Sequence, residues 1–409
     1  MNPEMLLSKA TEFEQKIAED RRYLHSHPEV GFDLFKTKEY VKNELISMGY
    51  EPQECGKCGL IALVGGRKPG KTFMLRADMD ALPIQEQADV SFPSQHEGKM
   101  HACGHDMHTA MLLGAARLLK THEDEIEGTI KLCFQPSEET FEGSKDMIEH
   151  GSLKNPDVDA ALMIHVMAGM PLPAGTVTVC DGGVSAPAAD YFRIKIQGKG
   201  CHGAMPQVGI DPITIAAHII TALQELHARE LAMSDEAALT FGLMQAGLAE
   251  NVIPDTAELG GTLRTYDEEV RKMLKVRMQE ICTGIAAAFR GEAVVTFTSG
   301  CPTLFNSAEL SENVTAYCKE LLGNHKAFST AQLKAMSPNA SASKTVGSED
   351  FAYVSQEVPS IMLALAAGEP QNGYCYPQHH PMVKFDEAVL GPGSCIYAYT
   401  AMRWLEDHN

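Results

Sequence analysis

Ala189-Asp-Tyr-Phe192-Arg-Ile194-Lys-Ile196 marks a change in the character of the chain. Phe192, Ile194 and Ile196 alternate, which predicts a half-exposed strand. Further on, Asp211 and Pro212 suit the N-cap and first position of a helix running to about Leu226. Ala238 to Met244 and Ala257 to Thr265 read as two more strands. Asp267 then opens a long helix carrying Val270, Leu274, Met278, Ile281 and Ile285 at helical spacing, and Val294 to Phe297 supplies a last strand.

The order β-α-β-β-α-β over about 110 residues is that of a ferredoxin-like domain. The chain on either side of it has a different rhythm. Met1 to Asp20 is helical and charged, Val41, Leu45 and Met48 keep helical spacing, and Met111 to Leu119 is a strongly apolar helix. Between these lie short apolar strands at Phe73 to Leu75, Ile130 to Phe134 and Ala161 to Ile164. Helix and strand alternation resumes near Pro302. This is an α/β fold in which a mostly parallel sheet is flanked by helices and ligands gather at the carboxyl ends of strands. The expected division is residues 1–188 and 301–409 for the α/β domain, with 189–300 inserted.

A length of 409 residues suits two domains better than one core. With 54 acidic against 34 basic side chains the formal charge is −20, which argues against nucleic acid or anionic membranes as partners. No apolar run approaches 18 residues, and the N-terminal stretch has no apolar h-region, so a cytoplasmic protein without a membrane span is expected. Eleven scattered cysteines suit a reducing compartment, and the Cys55-x-x-Cys58 pair lacks a partner pair at zinc-ribbon spacing.

The chemistry is concentrated in a few short stretches. His101-Ala-Cys103-Gly-His105-Asp106-Met-His108 follows a loop and precedes the helix from Thr109, and a thiolate and an imidazole two residues apart can face one ion. Gln135-Pro-Ser-Glu138-Glu139 follows a strand. There, one carboxylate can hold a metal while its neighbour handles protons. His165 ends the run Ala161 to Ile164, and Gln378-His379-His380-Pro381 lies near the C-terminus. Separated segments offering Cys, His, Glu and His are what a two-metal site requires. Leu75-Arg-Ala-Asp78-Met-Asp80-Ala-Leu-Pro83 sets two aspartates past a strand, one of which can orient a metal-bound histidine.

The pieces RRYLHSHPEVGF, LRADMDALP, HACGHD, FQPSEE, GKGCHGAMP, ENVIP, GSEDF and HHP occur in this order. In them the chain resembles the aminoacylase, hippurate hydrolase and auxin-conjugate hydrolase group of metallopeptidase family 20. The resemblance implies a catalytic domain with a ferredoxin-like insert that serves as lid and homodimer contact. It implies Cys103, His105, Glu139, His165 and His379 as ligands of two divalent metal ions per subunit. Glu138 is implied as general base, Asp80 as a residue supporting a ligand, and His202 as an oxyanion donor. Asn251, Arg264 and the Gly347-Ser-Glu349-Asp350-Phe stretch are implied as substrate-side or structural positions. Carboxypeptidase-like branches carry His where Asp78 stands, and some near relatives carry His where Gln207 stands.

The expected activity is hydrolysis of a small N-acyl amino acid by metal-activated water, with Glu138 taking the proton and passing it to the leaving amine. A thiolate ligand favours zinc, with manganese, nickel and cobalt as the other ions to consider. The competing expectations are a dipeptidase or aminopeptidase, and a non-catalytic metal-binding protein that retains the pocket.

Overall fold

The computed structural model describes residues 2–336 and 344–409. These form two compact units. One takes in the chain up to Ser185 and from Phe305 onward, apart from Lys344–Ser348. The other comprises Ala186–Leu304 with Lys344–Ser348, a few residues wider at each end than expected and with a short late segment added.

The first unit is built on an eight-stranded sheet. Its middle runs Thr129–Gln135, Thr72–Asp78, Ala160–Met167, Ser360–Ala366, these four all parallel to one another. Gly59–Gly65 and Val177–Val179 join the two sides antiparallel. The sheet is therefore mostly parallel, as the helix and strand alternation predicts.

Period-two geometry gives the middle strands two unlike faces. Phe73, Leu75, Ala77, Ile130, Leu132, Phe134, Leu162 and Ile164 belong to one large apolar core. The wholly buried helix stretch His105–Leu119, together with Pro3–Ser26 and Leu390–His408, packs into that core. The alternate positions Arg76, Asp78, Lys131 and Gln135 are also buried, yet polar. Such groups must be paired to be kept from water. Lys131 shows how: its ammonium donates to the carbonyl oxygens of Ser152, Lys154 and Pro156 at 3.1, 2.8 and 2.8 Å.

The second unit has the strand order Ala237–Ala246, Thr256–Thr265, Ala188–Gln197, Glu292–Cys301, antiparallel throughout. Phe192, Ile194 and Ile196 are buried against helices Pro212–Glu225 and Glu268–Ala288, while Tyr191, Arg193 and Lys195 face outward. Both helices begin where the capping residues predict: Asp211 accepts from Ile213 N–H, and Asp267 from Glu269 and Val270 N–H. Cys55 and Cys58 flank a hairpin turn as buried thiols, that of Cys55 pushed up to about 11 by burial.

Candidate metal centre and active site

The strand Thr129–Gln135 leads into the turn that carries Glu138 and Glu139. Ser137, just before them, has φ 59°, a left-handed conformation that side chains other than glycine adopt at a cost. Asp80 holds the turn. Its Oδ1 accepts from Glu138 N–H at 3.0 Å and its Oδ2 from Glu139 N–H at 3.1 Å. Gly143 returns so close to the turn that a Cβ there would lie 1.6 Å from the Pro136 carbonyl oxygen.

Asp80 also orients His105, but not in the way its carboxylate suggests. His105 Nδ1 donates to the backbone oxygen of Asp80 at 2.8 Å, with Oδ1 farther away at 3.5 Å. Asp80 positions both the carboxylates and the imidazole.

The helix carrying His105 starts four residues earlier than Thr109. Gly104 takes φ 91°, with its Cβ position 2.5 Å from Val166 Cγ2, and its carbonyl accepts from Met107 and His108 N–H. Glycine alone fits there. His105 and His108 therefore lie in the first turn of the helix.

The side chains named from sequence meet at this point. Cys103 Sγ lies 3.5 Å from His165 Nε2, and His379 Nε2 lies 3.4 Å from Glu139 Oε1. His105 Nε2 is 3.9 Å from Glu139 Oε1 and 4.0 Å from Glu138 Oε2. Two triads, Cys103–His105–His165 and Cys103–Glu139–His379, each bring their donor atoms within 4.8 Å of one another and share the thiol. His379 sits in this position with φ 65°.

These donors fit a metal. His165 and His105 each spend Nδ1 on a backbone carbonyl, which leaves Nε2 free to coordinate. His105 Nε2 and Glu139 Oε1 are buried without a hydrogen-bond partner. An orphaned buried acceptor costs about 1–3 kcal/mol, a penalty that a cation set between them removes. Burial, with His108 and His105 adding to it, pushes His165 down to about 3, so its ring is neutral. Cys103 and Glu139 lift His379 to about 10, the mark of a negative field that attracts a proton or a metal ion. Burial, then the nearby Glu349, Glu139 and Asp350, raises Glu138 well above the usual carboxylate range.

Other polar residues of these stretches have different partners. His108 donates from Nδ1 to Asp78 Oδ2 at 3.0 Å and accepts at Nε2 from Val166 N–H at 2.9 Å, so no lone pair remains for a metal. Asp78 is bound on its other oxygen by Arg76 Nη2 at 2.6 Å, which settles where its charge is spent. His380 stacks on Tyr376 and accepts from Met382 N–H, so of the tandem histidines His379 alone joins the cluster.

Arg76, Gln135 and Asp350 are the residues to which sequence reasoning gave no definite role. A charged residue inside the run Phe73-Met-Leu-Arg76-Ala was the available signal, since buried charges come paired. Asp78, Glu349 and Asp350 could be taken for a further metal triad, but the Arg76 guanidinium stands among them.

The remaining predicted residues lie in the second unit. His202 is exposed on the short strand Cys201–His202, paired with Val252–Ile253, and its Nδ1 accepts from Ala204 N–H at 3.0 Å. Asn251 is exposed beside it, its carbonyl accepting from Gly203 N–H at 2.7 Å. Arg264 donates to Ser348 Oγ at 2.5 Å, and Gln207 is exposed in the turn Pro206–Val208.

The family model described as Peptidase family M20/M25/M40 matches residues 74–403. The chain belongs to this family. It is 37% identical over 396 residues to an N-acetyl-L-cysteine deacetylase of Bacillus subtilis (strain 168), covering 97% of this chain and 89% of that one. It is 37% identical over 392 residues to IAA-amino acid hydrolase ILR1-like 2 of Arabidopsis thaliana, covering 95% and 84%. Thermostable carboxypeptidase 2 of Saccharolobus solfataricus is 35% identical over 408 residues, covering 98% of each chain. A crystal structure of a Bacillus subtilis protein, described as a dinuclear metal binding peptidase of the M20 family, superposes with a TM-score of 0.78 at 32% identity, covering 97% and 99%. This M20 chain is a metal-dependent hydrolase. Among its described residues no helix is long and apolar enough to cross a membrane.

Proposed function

We propose that this M20 hydrolase cleaves the amide bond of small N-acyl amino acids, with an N-acetyl, N-benzoyl or similar acyl group. The observation that carries the reading is the pair of donor triads sharing Cys103, set beside a carboxylate outside both of them, Glu138. Relatives named for deacetylation and for hydrolysis of amino-acid conjugates support the substrate class.

Cys103, His105, Glu139, His165 and His379 would hold two divalent cations, zinc first on account of the thiolate, then manganese, nickel or cobalt. When bound, such ions lower the pKa of water toward roughly 7 and polarise a carbonyl. The protein supplies the proton handling. Glu138 Oε1 is engaged by Asp350 N–H at 3.3 Å, so Oε2, directed at the ligand cluster, is the oxygen that takes the proton. The same carboxyl then delivers it to the leaving nitrogen. The burial and repulsion that lift Glu138 would be opposed by bound cations, which would favour the ionised carboxylate that accepts the proton.

In the same reading His202 donates to the developing oxyanion, and Asn251 and Arg264 bind the substrate. The unit of Ala186–Leu304 is a ferredoxin-like lid and the contact of a cytoplasmic homodimer. The carboxypeptidase names among the relatives favour a second reading, cleavage of unmodified peptides. Assaying the purified protein on N-acetyl, N-benzoyl and free dipeptide substrates, with metal analysis of the same sample, decides between them. Turnover of dipeptides alone would overturn the amidohydrolase reading.

A further inference from the structure

The polar face of the sheet holds a buried assembly that the proposed reaction does not account for. Arg76 is fully buried in the middle of the strand Thr72–Asp78. Its Nε donates to Gln135 Oε1 at 2.8 Å, its Nη1 pairs with Glu349 at 3.0 Å, and its Nη2 pairs with Asp78 at 2.6 Å and Asp350 at 2.5 Å. Asp350 also accepts from Gln135 Nε2 at 2.7 and 2.9 Å and from Ser144 N–H at 2.9 Å. A carboxylate bound on both oxygens from three directions cannot turn. The adjoining backbone is fixed with it, and Asp350 N–H is the group that holds Glu138 Oε1.

We propose that Arg76 is a positioning residue for the general base: its guanidinium fork fixes Asp350, and the amide of Asp350 fixes the Glu138 carboxylate with Oε2 facing the ligand cluster. This rests on the reading of Glu138 as the base. The competing account is that Arg76 only neutralises Asp78, Glu349 and Asp350. The two differ in what they ask of the side chain. Neutralisation needs one positive charge, which lysine supplies. Positioning needs several donors at fixed angles, which lysine lacks.

The test uses the metal-loaded full chain carrying Arg76→Lys, and separately Asp350→Asn, which keeps the shape but replaces one accepting oxygen by a donor. Positioning predicts a kcat lower by about 10²-fold in each, as for a misplaced reacting group, with KM within roughly threefold and both ions retained. Crystal structures of the loaded variants should show Glu138 Oε1 withdrawn from the amide of residue 350 while the five ligands stay in place. If Arg76→Lys keeps kcat within roughly twofold and Glu138 in position, the inference is overturned. Loss of the ions in step with activity overturns it as well, because Arg76 would then be scaffolding the metal site. Should Arg76→Lys fail to fold, Asp350→Asn decides alone on the same criteria. A wild-type protein inert on every acylated substrate would count against the proposed reaction, whereas the crystallographic position of Glu138 would still judge the role of Arg76.

Discussion

The sheets of the two units treat polar side chains in opposite ways. In the second unit, Arg193 and Lys195 alternate with Phe192, Ile194 and Ile196 and leave the structure on the side away from the helices. In the first, Arg76 and Lys131 also lie between apolar neighbours, Leu75, Ala77, Ile130 and Leu132, but share their face with Met74 and Cys133, and both are buried. A charge between apolar residues is common to both sheets. What differs is whether the second face is covered. Where it is covered, the buried charges need partners: carboxylates beside the proposed active site for Arg76, and the carbonyls of Ser152, Lys154 and Pro156 for Lys131.

The largest effect is expected for Glu138→Gln, which leaves the donor triads intact and removes the proton acceptor. Turnover should fall on the order of 10²–10⁴-fold, with the metal content unchanged. Near-full activity would remove the base assignment.

Core packing comes next. Met163→Ala, fully buried beside Arg76 on the covered second face of the first sheet, should cost about 2–5 kcal/mol in urea unfolding. Val294→Ala, 58% exposed in the second unit, should stay within roughly 0.5 kcal/mol. Equal costs would mean that the two sheets are not as unlike as described.

Third, His202→Ala should keep both ions yet lose about 10²–10³-fold in kcat, as for a lost oxyanion donor, whereas His165→Ala should lose metal. A His202→Ala enzyme of normal rate would confine the chemistry to the first unit.

The smallest effect concerns protons. In the ion-free protein His379 is raised from 6.5 to about 10, so its contribution to stability is present below the usual imidazole range and is lost as pH rises through about 10. Between those values a metal must displace its proton, and affinity should rise with pH. Calorimetry in buffers of different ionisation heat should show His379→Ala releasing about one proton fewer than wild type on metal binding. Equal release would show that His379 does not carry the proton.

Much of this was open to a reader of the sequence. Asp211, Asp267 and the alternation at Phe192 to Ile196 act locally, through caps and period-two burial, and the elements they predict are present. The early start of the helix at His105 was hidden, because it depends on Gly104 passing close to Val166, a contact between distant parts of the chain. The same holds for Arg76 and Asp350, which meet across 274 residues. Local patterns carry no record of such a meeting. Only the oddity of an arginine within an apolar run hinted at it.

The two-faced strand Thr72–Asp78 has an implication for how this chain can vary. Inserting or deleting one residue ahead of Arg76 would exchange the faces, setting the guanidinium among Leu132 and Ile164 and turning Phe73 and Leu75 toward carboxylates. Such a change would strike the oil-filled side and the proton-handling side together. Folding and turnover therefore answer to a single odd-or-even choice, and a length change would be tolerated only in loops that leave that choice alone.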